Sequence, residues 1–125
     1  MTAGRIIAVV PAYNEAGAIG GVVDAIRAAS ARFDVVVVDD GSRDETTAIA
    51  RSRGAAVVTL PYNIGIGGAV QTGFKYALER GYETAVRLDG DGQHDPRELG
   101  KLLEPLERGE ADIVTGSRFV AGSGD

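Results

Sequence analysis

With 125 residues and a formal net charge of −5, the chain is sized for one domain and has the wrong sign for a nucleic-acid surface or a polybasic membrane patch. Its 44% hydrophobic and 25% charged residues describe an ordinary globular protein. The absence of cysteine excludes a disulfide framework, a thiol nucleophile and a zinc–thiolate site, and it fits a cytoplasmic location.

Apolar, β-rich runs alternate with segments of helical period. Ile6 to Val10 predicts a first strand, followed by a helix from about Glu15 to Ala31 whose apolar positions Ile19, Val22, Val23 and Ile26 are three and four residues apart. Asn14 suits the N-cap of that helix, and Gly20 and Gly21 weaken it by roughly 1 kcal/mol each relative to alanine. Val35 to Val38 is apolar at every position, as expected of a parallel strand covered on both faces. Ser42-Arg43-Asp44-Glu45 has the pattern of a capping box opening a second helix, which Gly54 closes.

Ala56 to Leu60 predicts a third strand. A glycine-rich loop then leads into a helix with Val70, Phe74, Ala77 and Leu78 on its apolar face, ended by Gly81. Thr84 to Leu88 predicts a fourth strand. Pro96 opens a fourth helix bearing Leu99, Leu102, Leu103 and Leu106, which Pro105 kinks or ends, and Asp112 to Thr115 is a short fifth strand. No apolar run approaches the roughly 18 residues of a membrane span, and the N-terminus lacks a signal-peptide pattern.

Repeated strand–helix–strand units imply a three-layer α/β/α domain with a mostly parallel sheet. Ligands of such sheets bind beyond the carboxyl ends of the strands. Polar residues gather there in this sequence: Tyr13, Asn14 and Glu15 after strand one, Asp39 and Asp40 after strand two, Asp89 and Asp91 after strand four.

Asp89-Gly90-Asp91-Gly92-Gln93 is the most specific of these clusters. Two carboxylates two residues apart can converge on one hard cation, Gln93 can add an amide oxygen, and Mg²⁺ or Mn²⁺ held there can in turn hold a diphosphate. The alternative is a solvated acidic turn. One carboxylate of Asp39-Asp40 either accepts an N–H from the edge of a nucleobase or ends the strand in a turn through Gly41. Tyr13 either stacks on a base or covers the sheet edge, and Glu15 either meets a ribose hydroxyl or favours the helix N-terminus electrostatically.

Gly65-Ile66-Gly67-Gly68 lacks the lysine of a Walker loop and the last glycine of a dinucleotide fingerprint, so close backbone packing is its better reading. His94 is either a metal ligand or general base, or part of a helix cap with Asp95 and Pro96. Arg118 is the best-placed cation for a phosphate, against the ordinary reading of a solvated surface arginine.

Taken in order, VVPAYNE (9–15), VDDGSRDET (38–46), NIGIGGAVQTGF (63–74), LDGDGQHDP (88–96) and GSRF (116–119) resemble the family 2 glycosyltransferases of GT-A fold, a Rossmann-like nucleotide-diphospho-sugar-binding architecture. The likeness is to the branch acting on polyprenyl or dolichyl phosphates, with mannose or glucose. It implies that Pro11, Tyr13, Glu15 and Asp40 line a nucleoside pocket. It further implies that Asp89 reaches the nucleotide or the metal, that Asp91 and Gln93 ligate Mg²⁺ or Mn²⁺, and that Arg118 faces a phosphate. The implied reaction is inverting transfer from a UDP- or GDP-sugar, with a lipid phosphate as an acceptor.

Members of the family carry an acceptor-binding half after the GSRF-like segment, often with the catalytic base, and some then have membrane helices. Residues 1–125 therefore read as the donor-binding portion alone, a truncated GT-A domain. The competing readings are a sugar-phosphate nucleotidyltransferase, disfavoured because Pro-Ala-Tyr-Asn-Glu stands where its glycine-rich basic loop belongs, and a non-catalytic module that binds nucleotide or forms a homodimer through an open sheet edge.

Overall fold

The structure, a computed structural model, describes residues 6–29 and 33–88. Four strands and three helices alternate: β1 (Ile6–Ala12), α1 (Ala16–Ala29), β2 (Phe33–Asp39), α2 (Thr46–Ser52), β3 (Ala56–Thr59), α3 (Ile66–Glu79) and β4 (Thr84–Arg87). The sheet runs β3-β2-β1-β4 and every pairing is parallel. The fourth helix and fifth strand expected from the sequence lie outside the described residues.

Alternation along the strands divides the core into two layers. Ile6, Ala8, Val10 and Ala12 of β1, with Val35 and Val37 of β2, join Ile19, Val22, Val23 and Ile26 of α1 and Ala50 of α2. Ile7 and Val9, with Val36 and Val38, face the other way onto Ala69 and Ala77 of α3, with Phe74 packed at the margin. A strand buried on both faces can be apolar at every position, which is why the valine run 35–38 shows no alternation. The three-layer expectation holds in the described part.

Gly73 marks the tightest packing. A Cβ there would lie 2.2 Å from Val9 Cγ1 and 3.2 Å from Val38 Cγ2, so α3 rests on the sheet through bare backbone. Leu78, expected on the apolar face of α3, is instead 78% exposed. The buried stripe runs through Ala69, Val70, Gly73 and Ala77, and a residue one step beyond Ala77 is turned about 100° away from it.

Both glycine stops occur where expected. Gly54 follows α2 with φ 93°, while Gly54 N–H donates to Arg51 O and Ala55 N–H to Ala50 O. Gly81 closes α3 in the same way, with Tyr82 N–H donating to Ala77 O. These are Schellman closures, which satisfy carbonyls the helix leaves without intrahelical donors.

The helix starts differ from expectation. Asn14 does not cap α1, and the 42–45 segment is not a capping box; α2 begins at Thr46, with Glu45 at its cap position and no side-chain cap bond. The polar side chains of these segments bond across to each other instead, and that exchange builds the site.

Candidate functional site

The strand order contains a reversal. From β1 the chain builds outward to β2 and β3, then α3 carries it across the opposite face to β4 on the other side of β1. The crevice beyond the carboxyl ends of β1 and β4 is therefore the topological switch point, where open α/β sheets bind ligands. Pro11 shapes it. Leu88 N–H donates to Val9 O at 3.0 Å, and the next rung of that parallel ladder needs an N–H from residue 11. Proline has none, so the β1–β4 ladder ends there. Pro11 is buried, and the 89–93 segment follows directly in sequence.

Three loops meet at this end of the sheet. The first turns at Asn14, whose φ of 54° is the one left-handed conformation among the described non-glycine residues. Asparagine tolerates that region better than most residues do. The turn is held from the second loop: Asn14 N–H donates to Ser42 Oγ (2.8 Å), and Arg43 N–H donates to Asn14 Oδ1 (2.8 Å). Glu15 N–H donates to Thr46 Oγ1 (2.9 Å), and Ala16 N–H to Asp44 Oδ2 (3.2 Å).

The start of α1 is thus capped by side chains about thirty residues away, rather than by its own neighbours. Asp44 also accepts from Thr46 N–H at 3.0 Å and from the Thr46 hydroxyl. That hydroxyl bond, followed by the backbone N–H groups of Thr46 and Ala16, holds the Asp44 carboxyl below its ordinary value of 3.8. A carboxylate beside the N-terminus of α1 is also favoured by the helix dipole.

The adjacent acids after β2 have separate structural tasks. Asp39 Oδ1 accepts from Ser42 N–H (2.8 Å), and Oδ2 accepts from the Thr47 hydroxyl. Asp40 turns to the third loop, where Oδ1 accepts from Ile64 N–H (2.8 Å) and Oδ2 from Gly65 N–H and Asn63 Nδ2 (3.0 Å each). Both residues are at most 3% exposed, and burial on this scale demands such satisfaction. Gly41 lets the second and third loops touch: a Cβ on it would lie 2.6 Å from Asn63 N. In the glycine-rich stretch, Gly68 packs under Ile64, 2.7 Å from its Cδ1 to a notional Cβ, whereas Gly67 faces open space. The one close neighbour in this stretch is thus a side chain of the preceding loop, and none of Gly65, Gly67 and Gly68 meets a neighbouring helix.

The rim stays apolar and open. Among the described residues the exposed large hydrophobics are Tyr13, Tyr62, Ile64, Ile66 and Leu78, and all but Leu78 stand on or beside these loops. Tyr13 is 45% exposed, so its ring does not serve the core. Glu15 is half-buried, and its carbonyl accepts from Ala18 and Ile19 as the first turn of α1 forms.

The structure brings Pro11, Tyr13, Glu15 and Asp40 to one end of the sheet. Asp89, Asp91, Gln93, His94 and Arg118 lie outside the described residues. No group of three or more His, Cys, Asp or Glu that could hold a metal occurs among the described residues. No helix among them is long and apolar enough to cross a membrane. Sequence reasoning assigned no role to Asn63, and it read Ser42 and Asp44 as a local cap. Their signal was the spacing of short polar residues at 42, 44 and 46, which suits side chain–backbone bonding of any range.

The model of the family described as "Glycosyl transferase family 2" matches residues 7–125. The chain belongs to that family. It is 40% identical over 123 residues to an undecaprenyl-phosphate mannosyltransferase of Micrococcus luteus, covering 94% of this chain and 50% of that one. It is 37% identical over 124 residues to a polyprenol monophosphomannose synthase of Mycolicibacterium smegmatis, covering 94% and 46% respectively. The chain thus spans about half the length of these family members. Among solved structures it is similar to the glucosyl-3-phosphoglycerate synthase of Mycobacterium tuberculosis in complex with Mn²⁺, UDP-glucose and glycerol 3-phosphate. That match has a TM-score of 0.67 and 30% identity, covering 86% of this chain and 41% of the other. The GT-A fold of this family accounts for the parallel sheet and the helices on both faces.

Proposed function

We propose that residues 1–125 form the donor-binding portion of an inverting glycosyltransferase, which takes a UDP- or GDP-sugar with Mg²⁺ or Mn²⁺ and serves a polyprenyl-phosphate acceptor. The observation that carries this reading is the reversal of strand order at β1/β4, with an exposed Tyr13 at the carboxyl end of β1, in a chain of this family. Relatives named for polyprenyl phosphates support the acceptor class, and a neighbour bound to Mn²⁺ and UDP-glucose supports the donor class.

In this reading Tyr13 stacks on the base, Glu15 meets a ribose hydroxyl, and Pro11 and Asp40 back the nucleoside pocket. Asp89 reaches the nucleotide or the metal, Asp91 and Gln93 hold the metal, and Arg118 faces a phosphate. When bound, the divalent ion stabilises the negative charge that grows on the departing nucleoside diphosphate. An acceptor oxygen forms the new bond to the anomeric carbon while the bond to the diphosphate breaks, and its electron pair leaves with the nucleotide.

Calorimetric titration of the chain with UDP- and GDP-sugars, with and without Mn²⁺, tests the reading. Metal-dependent binding that is lost in Asp91→Ala and kept in His94→Ala is expected. Failure of both nucleotide sugars to bind with Mn²⁺ present would overturn it.

A further inference from the structure

The four hydrogen bonds between the Asn14 turn and residues 42–46 are more than a β2–α2 loop needs for its own closure. Asp39 and the Asp44–Thr46 turn already close that loop locally, through Ser42 N–H and Thr46 N–H. The remaining donors and acceptors point across. Ser42 Oγ, Thr46 Oγ1 and Asp44 Oδ2 take the N–H groups of three successive residues, Asn14, Glu15 and Ala16, while Asn14 Oδ1 returns one bond to Arg43 N–H. Those three N–H groups lie immediately after Tyr13. They are held in a turn whose left-handed residue would otherwise relax, because such a conformation costs a non-glycine residue on the order of 1 kcal/mol.

We propose that Ser42, Asp44 and Thr46 are positioning residues for the binding rim, a clasp on the second loop that fixes Tyr13 and Glu15 without touching the ligand. The proposal rests on the donor-site reading for its ligand, but the clasp itself can be read without one. Tyr13 has little core packing to orient it, being 45% exposed, so the backbone that follows it sets where its ring stands. The clasp gives this site a preformed aromatic face and spares the ligand the entropy of ordering that turn.

Two substitutions cut the clasp at separate points. Ser42→Ala removes the acceptor for Asn14 N–H, and Ser42→Thr restores a hydroxyl. Asp44→Asn keeps an oxygen for the Thr46 turn but presents an amide N–H₂ to Ala16 N–H, severing the link to α1. We expect each of Ser42→Ala and Asp44→Asn to weaken binding of UDP or GDP in the presence of Mn²⁺ by roughly threefold to tenfold. Ser42→Thr should recover most of the loss. Because the clasp acts in part through Tyr13, Ser42→Ala should cause a clearly smaller loss in a Tyr13→Ala background than in the unsubstituted chain, a coupling that general destabilisation would not produce.

Additive losses in that cycle, or unchanged affinity in both single variants, would overturn the proposal. If the unsubstituted chain binds neither nucleotide, the donor-site reading fails by itself. Amide exchange in the ligand-free chain then decides about the clasp. Faster exchange at Asn14 in Ser42→Ala and at Ala16 in Asp44→Asn, with Val9 and Val36 unchanged, supports it, and unchanged exchange at Asn14 and Ala16 overturns it.

Discussion

A hydrogen bond of 2.8 Å joins the buried Asp40 carboxylate to the backbone N–H of Ile64, 24 residues further along the chain. Asn63 and Gly65 donate to the same carboxylate, so one side chain organises the entry to α3. Replacing Asp40 by alanine leaves the backbone N–H groups of Ile64 and Gly65 without their acceptor, while Asn63 Nδ2 keeps only its 3.2 Å bond to the residue-40 carbonyl. We expect a loss of about 2–4 kcal/mol in urea-induced unfolding, with Asp40→Asn intermediate because it keeps one oxygen. A loss below about 0.5 kcal/mol for Asp40→Ala would show that water replaces the carboxylate without cost.

Two glycines on the helices should respond in opposite directions. Gly73→Ala forces a methyl group into Val9 and should destabilise by about 1–3 kcal/mol. Gly21→Ala places a methyl group on α1 with nothing within 4 Å, and should stabilise by up to about 1 kcal/mol through helix propensity. Thermal melts of the two variants, run side by side, check both signs.

Acid should loosen the clasp. The carboxyl of Asp44 is held below its ordinary value of 3.8, chiefly by the Thr46 hydroxyl. A group whose folded value is depressed contributes stability that is fully present above the unfolded value and is lost as pH falls through the folded one. The stability gap between the unsubstituted chain and Asp44→Asn should therefore be constant near neutral pH and close at pH values below 3.8. Melting temperatures measured across that range test this, and a gap that widens in acid would refute the sign.

Tyr13 should matter for binding rather than for folding. Its ring is 45% exposed, so Tyr13→Ala should leave the melting temperature nearly unchanged. If the ring stacks on a base, the same substitution should weaken nucleotide binding by about tenfold, while Tyr13→Phe retains affinity because the stacked face survives. Equal affinity in Tyr13→Ala and the unsubstituted chain would remove the tyrosine from the pocket.

The sheet was legible because its signals are local. The run 35–38 is apolar at every position and β1 nearly so, and Gly54 and Gly81 end helices through conformations that other residues adopt at a cost. The starts of α1 and α2 were not legible in the same way. Ser42-x-x-Glu45 satisfies a local capping pattern, but its hydroxyl accepts from Asn14, a partner that exists only once β1 and β2 are paired. Asp39 and Asp40 illustrate the same limit. The sequence marks both as unusual at a strand end, while their division of labour depends on where the 63–65 loop lies. Leu78 misled because helical period alone does not say which edge of an apolar stripe meets the sheet.

The polar stitching also bears on how the molecule is made. Its bonds link residues 23 to 31 positions apart, and the last of them requires Gly65. Contacts of that separation form late, because the chain must close the intervening loops before they yield any gain. A growing chain that has completed β1 and α1 has a tyrosine after its first strand but nothing to aim it. The shape of this rim is therefore a property of the finished fold, and if the rim takes a nucleotide, partly folded chains should not bind it.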